Sequence, residues 1–211
     1  MSKEVSKQRN DLRDEALYIL KTNSRDNRYT VPSDRLYPYQ WNWDSGFIAL
    51  GIATYDFDRA VAELESLMEG QWHNGMIPHI VFHEFEEHYA PGPLDWQVPT
   101  GTTTKADVCT SGITQPPIMG SVLWRLYERC ENRDDYQLRF NQLYTQVKAY
   151  HDWFMGRRTS APSHDLVKCL HPWESGMDNL PNWDKLVDEV PRGDTSQFRR
   201  KDLKGDNASQ R

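Results

Sequence analysis

The chain has few cysteines, no long apolar run and no basic stripe, and each shortage removes a class of function. Cys109, Cys130 and Cys169 are odd in number and widely spaced. They point neither to a disulfide framework nor to the paired spacing of a zinc site, and they suit reduced thiols in a cytosol. No stretch approaches the ~20 apolar residues of a membrane-spanning helix, and Met1-Ser-Lys-Glu-Val-Ser-Lys-Gln-Arg-Asn10 lacks the apolar core of a secretory signal. Lys and Arg total 25 against 31 Asp and Glu, a formal charge of −6, which argues against nucleic acid as a partner. The expectation is a cytoplasmic protein without membrane or nucleic-acid partners, acting on a neutral or weakly anionic small molecule.

What is abundant is aromatic. Eight Trp, ten Tyr and seven Phe occur in a chain of mean hydropathy −0.82. Rings in so polar a setting are not all expected in a core, and some should line a cleft. The segment Tyr37-Pro-Tyr-Gln-Trp-Asn-Trp-Asp-Ser-Gly-Phe47 has an echo about 130 residues on, His171-Pro-Trp-Glu-Ser-Gly-Met-Asp-Asn179. Each carries Trp, an acid, Ser-Gly and an apolar residue. Rings stack on the C–H face of a pyranose while Asp, Glu and Asn bind its hydroxyls, so a carbohydrate-processing site is the leading reading.

With 211 residues the chain has room for one large domain or two small ones. Leu12, Ala16, Leu17 and Leu20 recur at helical spacing within Lys7 to Thr22. Asp44 or Ser45 is placed to cap a second helix running through Phe47 to Ala53, and Asp56 or Asp58 a third whose inner face is Ala60, Leu64, Leu67 and Met68. Two more helices are expected, from Pro116 to Arg129 and from Asp134 to Phe154, the latter through Leu138, Phe140, Leu143, Val147 and Trp153. Trp124 and Trp153 lie on helical faces and read as core. Strand signals are short, with Ile80 to Phe82 the clearest, so the fold class is all-α. Gly- and Pro-rich connections at Gly75 to Pro78, Tyr89 to Gly112 and Arg157 to Asn182 carry many of the tryptophans and amides. Long loops in compact domains are commonly functional. Helix, decorated loop, helix is the rhythm of paired helices in a ring with the loops forming a bowl.

These two motifs, with Gln71-Trp-His-Asn-Gly-Met-Ile-Pro-His-Ile80 and Ser111-Gly-Ile-Thr-Gln-Pro-Pro117, resemble glycoside hydrolase family 63, and within it the mannosylglycerate and glucosylglycerate hydrolases more than processing α-glucosidase I. The resemblance runs from about Leu36 to Asp184. It implies an (α/α)6 toroid of twelve helices that cleaves an α-glycosidic bond with inversion, without cofactor or metal. The general acid then falls on Asp178, the segment Tyr39 to Asp44 lines the sugar subsite, and Gln115 contacts substrate. Tyr39, Trp41, Trp43, Asp44, Gln115, Trp173 and Glu174 are accordingly the expected substrate-binding residues. The family's general base is a Glu further along than Arg211. Residues 1–188 are therefore expected to form the amino-terminal half of one catalytic domain, with 189–211 a polar tail or the start of the second half, and the segment alone is expected to be inactive. Trp173 and neighbouring carboxylates are expected to raise the pKa of Asp178 by desolvation and like-charge repulsion.

Each reading has a plainer rival. Asp178 is also placed to cap a short helix over Asn179 to Val187, and Glu174 and Asp184 compete with it as the acid. Any one of Trp41, Trp43, Trp173 and Trp183 is compatible with a packing role. His79 and His83, with Glu84, Glu86, Glu87 and His88, superficially suggest a metal site on a helix face, but no supporting Cys or His follows at a ligand interval, and hydroxyl-contacting histidines fit better. Gly101 to Lys105 lacks the first half of a phosphate loop, and Ser45 and Ser175 sit in no nucleophile motif. Arg35 is a weak candidate for holding a glycerate carboxylate. A sugar-binding half-toroid without catalysis is the alternative of a different class, and an α-glucosidase acting on oligosaccharides is a further alternative.

Overall fold

The computed structural model describes residues 3–86, 89–104, 106–159 and 166–191. Glu87, His88, Lys105 and the tail beyond Pro191 lie outside the described residues. Among the described residues seven helices and five short strands follow in the order α1 Lys3–Thr22, β1 Ser24–Arg25, β2 Tyr29–Thr30, β3 Gln40–Trp41, α2 Asn42–Ile52, α3 Phe57–Glu69, β4 Ile80–Phe82, α4 Pro93–Trp96, β5 Cys109–Thr110, α5 Met119–Arg129, α6 Arg133–Arg157 and α7 Asp184–Asp188. Two 3-10 turns, Pro172–Ser175 and Pro181–Trp183, precede α7.

The core is a block of four helices. α2 packs on α3 and α5 on α6, while contacts of α2 with α5 and of α3 with α6 close the block. α3 starts as its sequence directs: the Asp56 carboxylate accepts a hydrogen bond from the Arg59 N–H at 3.0 Å, and Ala60, Leu64, Leu67 and Met68 are all buried. Val122, Leu123 and Leu126 of α5 meet Phe140, Leu143, Val147 and Tyr150 of α6 in the same cluster. Gly46 lets α2 approach α5 closely, since a Cβ there would lie 3.0 Å from Met119 Cε and Val122 Cγ2.

α2 departs from expectation at its start. It begins at Asn42, ahead of both Asp44 and Ser45, and no side chain caps it. Its first amides are satisfied otherwise: the Asn42 N–H donates to the His79 carbonyl at 3.0 Å and the Trp43 N–H to Gln115 Oε1 at 3.1 Å. Asp44 is thereby released from capping. The sheet that supplies this arrangement is antiparallel, in the order β3-β4-β5, with Trp41 opposite Ile80 and Val81 opposite Thr110. β3 and β5 are two residues long and were not expected beside the readable β4.

Three packing expectations are corrected. Leu12 and Ala16 of α1 are exposed, and Leu17 and Leu20 only half-buried, because only the end of that helix reaches the block. Trp124 is 58% exposed and stacks on Tyr127 along the outer side of α5. Leu138 likewise faces outward on α6, whereas Trp153 is in the core.

Candidate active site

One cavity of about 290 Å³ brings the two motifs together. Trp41, Trp43 and Asp44 enter from the first, Trp173, Gly176 and Asp178 from the second, and Gln115 from the loop before α5. Pro32, Tyr37, His79 and Tyr89 complete its walls. The volume stands at the lower edge of the ~300–1,000 Å³ typical of small-molecule sites.

The first motif rests on a buried polar network. Gln40 Nε2 donates to Ser45 Oγ at 3.0 Å and to the Glu63 carbonyl at 2.9 Å, and Ser45 Oγ donates to Glu63 Oε1 at 2.8 Å. Arg59 closes the network on Glu63 Oε2 at 2.9 Å, both side chains being buried. Burial raises the Glu63 carboxyl, while Arg59 and the hydrogen bonds from Ser45 and Thr30 pull it back. Gln115 is fixed from both sides: its Oε1 holds the Trp43 amide, and the buried Tyr150 hydroxyl donates to its carbonyl at 2.8 Å. The same hydroxyl accepts from Asn42 Nδ2 at 3.3 Å.

The second motif is a 3-10 turn rather than a helix. His171 Nδ1 accepts the Trp173 N–H at 3.2 Å, and Ser175 Oγ ties the turn by donating to the Pro172 carbonyl at 2.6 Å and accepting from the Met177 N–H at 2.9 Å. Gly176 then takes a left-handed φ of +67°, and a Cβ there would fall 2.4 Å from Trp43 Cη2. Glycine is thus what allows the two motifs to touch. Asp178 follows as a pocket residue, not as a helix cap, since Leu180 precedes the second 3-10 turn and Trp183 precedes α7.

Burial sets the electrostatics. It pushes the Asp44 carboxyl up to about 6, against hydrogen bonds from Trp43 and its own amide. Asp178, at the exposed rim, is also raised by desolvation, with His171 and its own amide pulling it back. Among the described residues no neighbouring carboxylate adds the expected like-charge repulsion, and burial supplies the upward push. His79 is driven down to about 3 by burial and by His171, leaving a neutral imidazole stacked on Trp173 at 6.1 Å and set edge-on to Trp41 at 6.1 Å. Its Nδ1 is buried without a hydrogen-bond partner among the described residues.

Two expected site residues stand behind the walls instead. Tyr39 is buried, with its hydroxyl on the Glu86 backbone (2.9 Å from that N–H) and its ring against Phe82 and Tyr89. Glu174 turns away from the cavity to pair with Arg158 at 2.6 Å and to accept the Leu170 N–H at 2.9 Å. The Trp-acid-Ser-Gly echo therefore breaks at the acid, because the first copy begins a helix and the second closes a 3-10 turn. Trp183 and Arg35 take no part in the cavity lining. His79 and His83 share no helix face, since β4 runs between them: His79 faces the cavity, and His83 Nε2 donates to Gln40 Oε1 at 2.7 Å. Tyr37 lay inside the quoted motif and Tyr89 carried no local signal at all.

The cavity thus sets aromatic walls around two carboxylates, an amide and a neutral imidazole. The chain belongs to the mannosylglycerate hydrolase MGH1-like glycoside hydrolase domain family, whose model matches residues 37–211. Among curated relatives it is similar to the mannosylglycerate hydrolase of Thermus thermophilus, 45% identical over 197 residues, which cover 93% of this chain and 46% of that protein. The mannosylglycerate hydrolase MGH1 of Selaginella moellendorffii is 42% identical over 175 residues, covering 83% of this chain and 35% of that protein. The crystal structure of the family 63 mannosylglycerate hydrolase from Thermus thermophilus, in complex with Tris and D-glycerate, superposes with a TM-score of 0.77 at 46% identity, covering 85% of this chain and 41% of that one. The chain thus spans less than half the length of these relatives. The resemblance to family 63 and to its mannosylglycerate hydrolases is borne out, and the described residues are mostly helical like that structure.

Proposed function

We propose that this chain forms part of an inverting α-glycosidase acting on mannosylglycerate or its glucosyl analogue, with Asp178 as general acid. The observation that carries the reading is the convergence of Asp178 with Trp41, Trp43, Asp44, Gln115 and Trp173 on one cavity. Trp41, Trp43 and Trp173 stack on the sugar, Asp44, Gln115 and His79 bind hydroxyls, and Asp178 at the rim meets the glycosidic oxygen as it leaves. Inversion needs a second carboxylate ~6.5–9.5 Å away that activates water on the opposite face. In this reading residues 1–188 are one part of an (α/α)6 toroid, 189–211 lead onward from it, and the base is supplied by further helices, so these residues alone are inactive. That the chain matches 46% of the Thermus relative's length supports it.

Asp44, whose carboxyl burial raises to about 6, is the rival acid on electrostatic grounds, and leaving groups separate the two. In the active protein carrying this chain, Asp178→Asn is expected to lower kcat on the glycerate glycoside by ~10²-fold or more, with a much smaller loss on the glycosyl fluoride, whose departure needs no proton. Asp44→Asn, which removes hydroxyl contacts instead, should depress both substrates alike. Proton NMR of the first-formed sugar should show the β-anomer. Release of the α-anomer, or a leaving-group split at Asp44 in place of Asp178, would overturn the assignment.

A further inference from the structure

Glu174 stands four residues before Asp178 and one after Trp173, yet its side chain points away from the cavity. Its Oε1 receives Arg158 Nη2 at 2.6 Å and the Thr114 N–H at 3.4 Å, and its Oε2 receives the Leu170 N–H at 2.9 Å. One carboxylate therefore joins the end of α6, the segment leading into the 3-10 turn, and the loop that carries Gln115. Arg158 is itself fixed: it caps α6 with its N–H on the Phe154 carbonyl at 2.8 Å, and its guanidinium lies over the Trp153 ring at 4.8 Å. Both side chains are more than nine-tenths buried, and Arg158 Nε and Nη1 have no partner among the described residues. A buried pair with orphaned N–H groups is a poor source of stability, since desolvation offsets its attraction. It is a good source of position, because the single charge-assisted hydrogen bond at 2.6 Å joins two buried side chains and the guanidinium plane is held over Trp153.

We infer that Arg158 and Glu174 are positioning residues that set the height of the Pro172 to Asp178 loop, and with it the general acid, from beneath the cavity. The loop is short and tied at its other contacts by Ser175 and by Gly176 against Trp43, so release of Glu174 shifts Trp173 and Asp178 together. The inference rests on the reading of Asp178 as general acid.

The test uses the active protein and two variants: Arg158→Lys, which keeps the charge but loses the guanidinium plane stacked over Trp153, and Arg158→Met with Glu174→Gln, which removes both charges and leaves none buried unpaired. Each is assayed on a glycerate glycoside and on the matching glycosyl fluoride, beside Asp178→Asn and with circular dichroism as a check of folding. A displaced acid is expected to lower kcat on the glycerate glycoside by ~10- to 100-fold beyond whatever loss the fluoride shows, since the fluoride reads the shift of Trp173 without that of the proton donor. Equal losses on both substrates, or wild-type rates from the folded double variant, would overturn the inference and leave Asp178 standing. Failure of both variants to fold would assign the pair to stability and overturn it too. If Asp178→Asn itself shows no leaving-group split, the functional reading fails and the inference falls with it.

Discussion

Burial holds the Asp44 carboxyl near 6, where an unburied one titrates at 3.8, and this has a consequence for stability that runs opposite to that of a salt-bridged acid. Between about pH 4 and 6 the folded state binds this proton more tightly than the unfolded chain. Stability contributed below pH 4 is therefore lost as pH rises through 6, by on the order of 3 kcal/mol for a shift of about two units. Asp44→Asn removes the cost of burying the charge. The variant is expected to be more stable than wild type at pH 7.5 and nearly equal to it at pH 4, read from urea melts at both values. An equal difference at the two pH values would show that Asp44 is not desolvated as described. The residue was legible as a site member from its motif. Its environment was not, because nothing local says that backbone partners of Asn42 and Trp43 would spare it from capping.

At the scale of elements, periodicity revealed what packs on one face and missed what pairs over distance. α3 and α5 were readable because their apolar residues recur at helical spacing and do find partners. α1 has a similar pattern and finds few, since a stripe in sequence does not reveal whether a neighbour exists. β3 and β5 were invisible because two residues cannot show alternation. The contact of Gly176 with Trp43, across some 130 residues, was equally hidden, although both motifs were recognised as belonging together. That contact yields a prediction. Gly176→Ala places a Cβ against the Trp43 ring and forces an alanine into a left-handed φ, a strain of roughly 1–3 kcal/mol. We expect a lower melting temperature and, because Trp43 and Asp178 are pushed apart, a fall in kcat/KM of ~10-fold or more. A variant with unchanged kinetics and only a lower melting temperature would uncouple the turn from the site.

For the whole molecule, the question is what covers the outer sides of the four-helix block. Phe47 of α2 is 57% exposed, Trp124 of α5 58%, and Leu138, Tyr144 and Met155 of α6 70%, 62% and 64%. Single exposed apolar residues are ordinary, but apolar surface that gathers beyond a few hundred Å² drives association. In the toroid proposed above such faces meet further helix pairs. The 211-residue polypeptide on its own is thus expected to self-associate at micromolar concentration and to bind a hydrophobic dye, both measurable by sedimentation velocity and fluorescence. Trp124→Gln with Leu138→Lys should shift it toward monomer, because these substitutions change only exposed positions and leave the buried cluster intact. If the wild-type polypeptide instead sediments as a monomer and melts in one sharp cooperative transition, the exposed faces need no partner. That result would favour a self-contained sugar-binding domain over the half-toroid, and in that case Asp178→Asn should leave sugar affinity untouched.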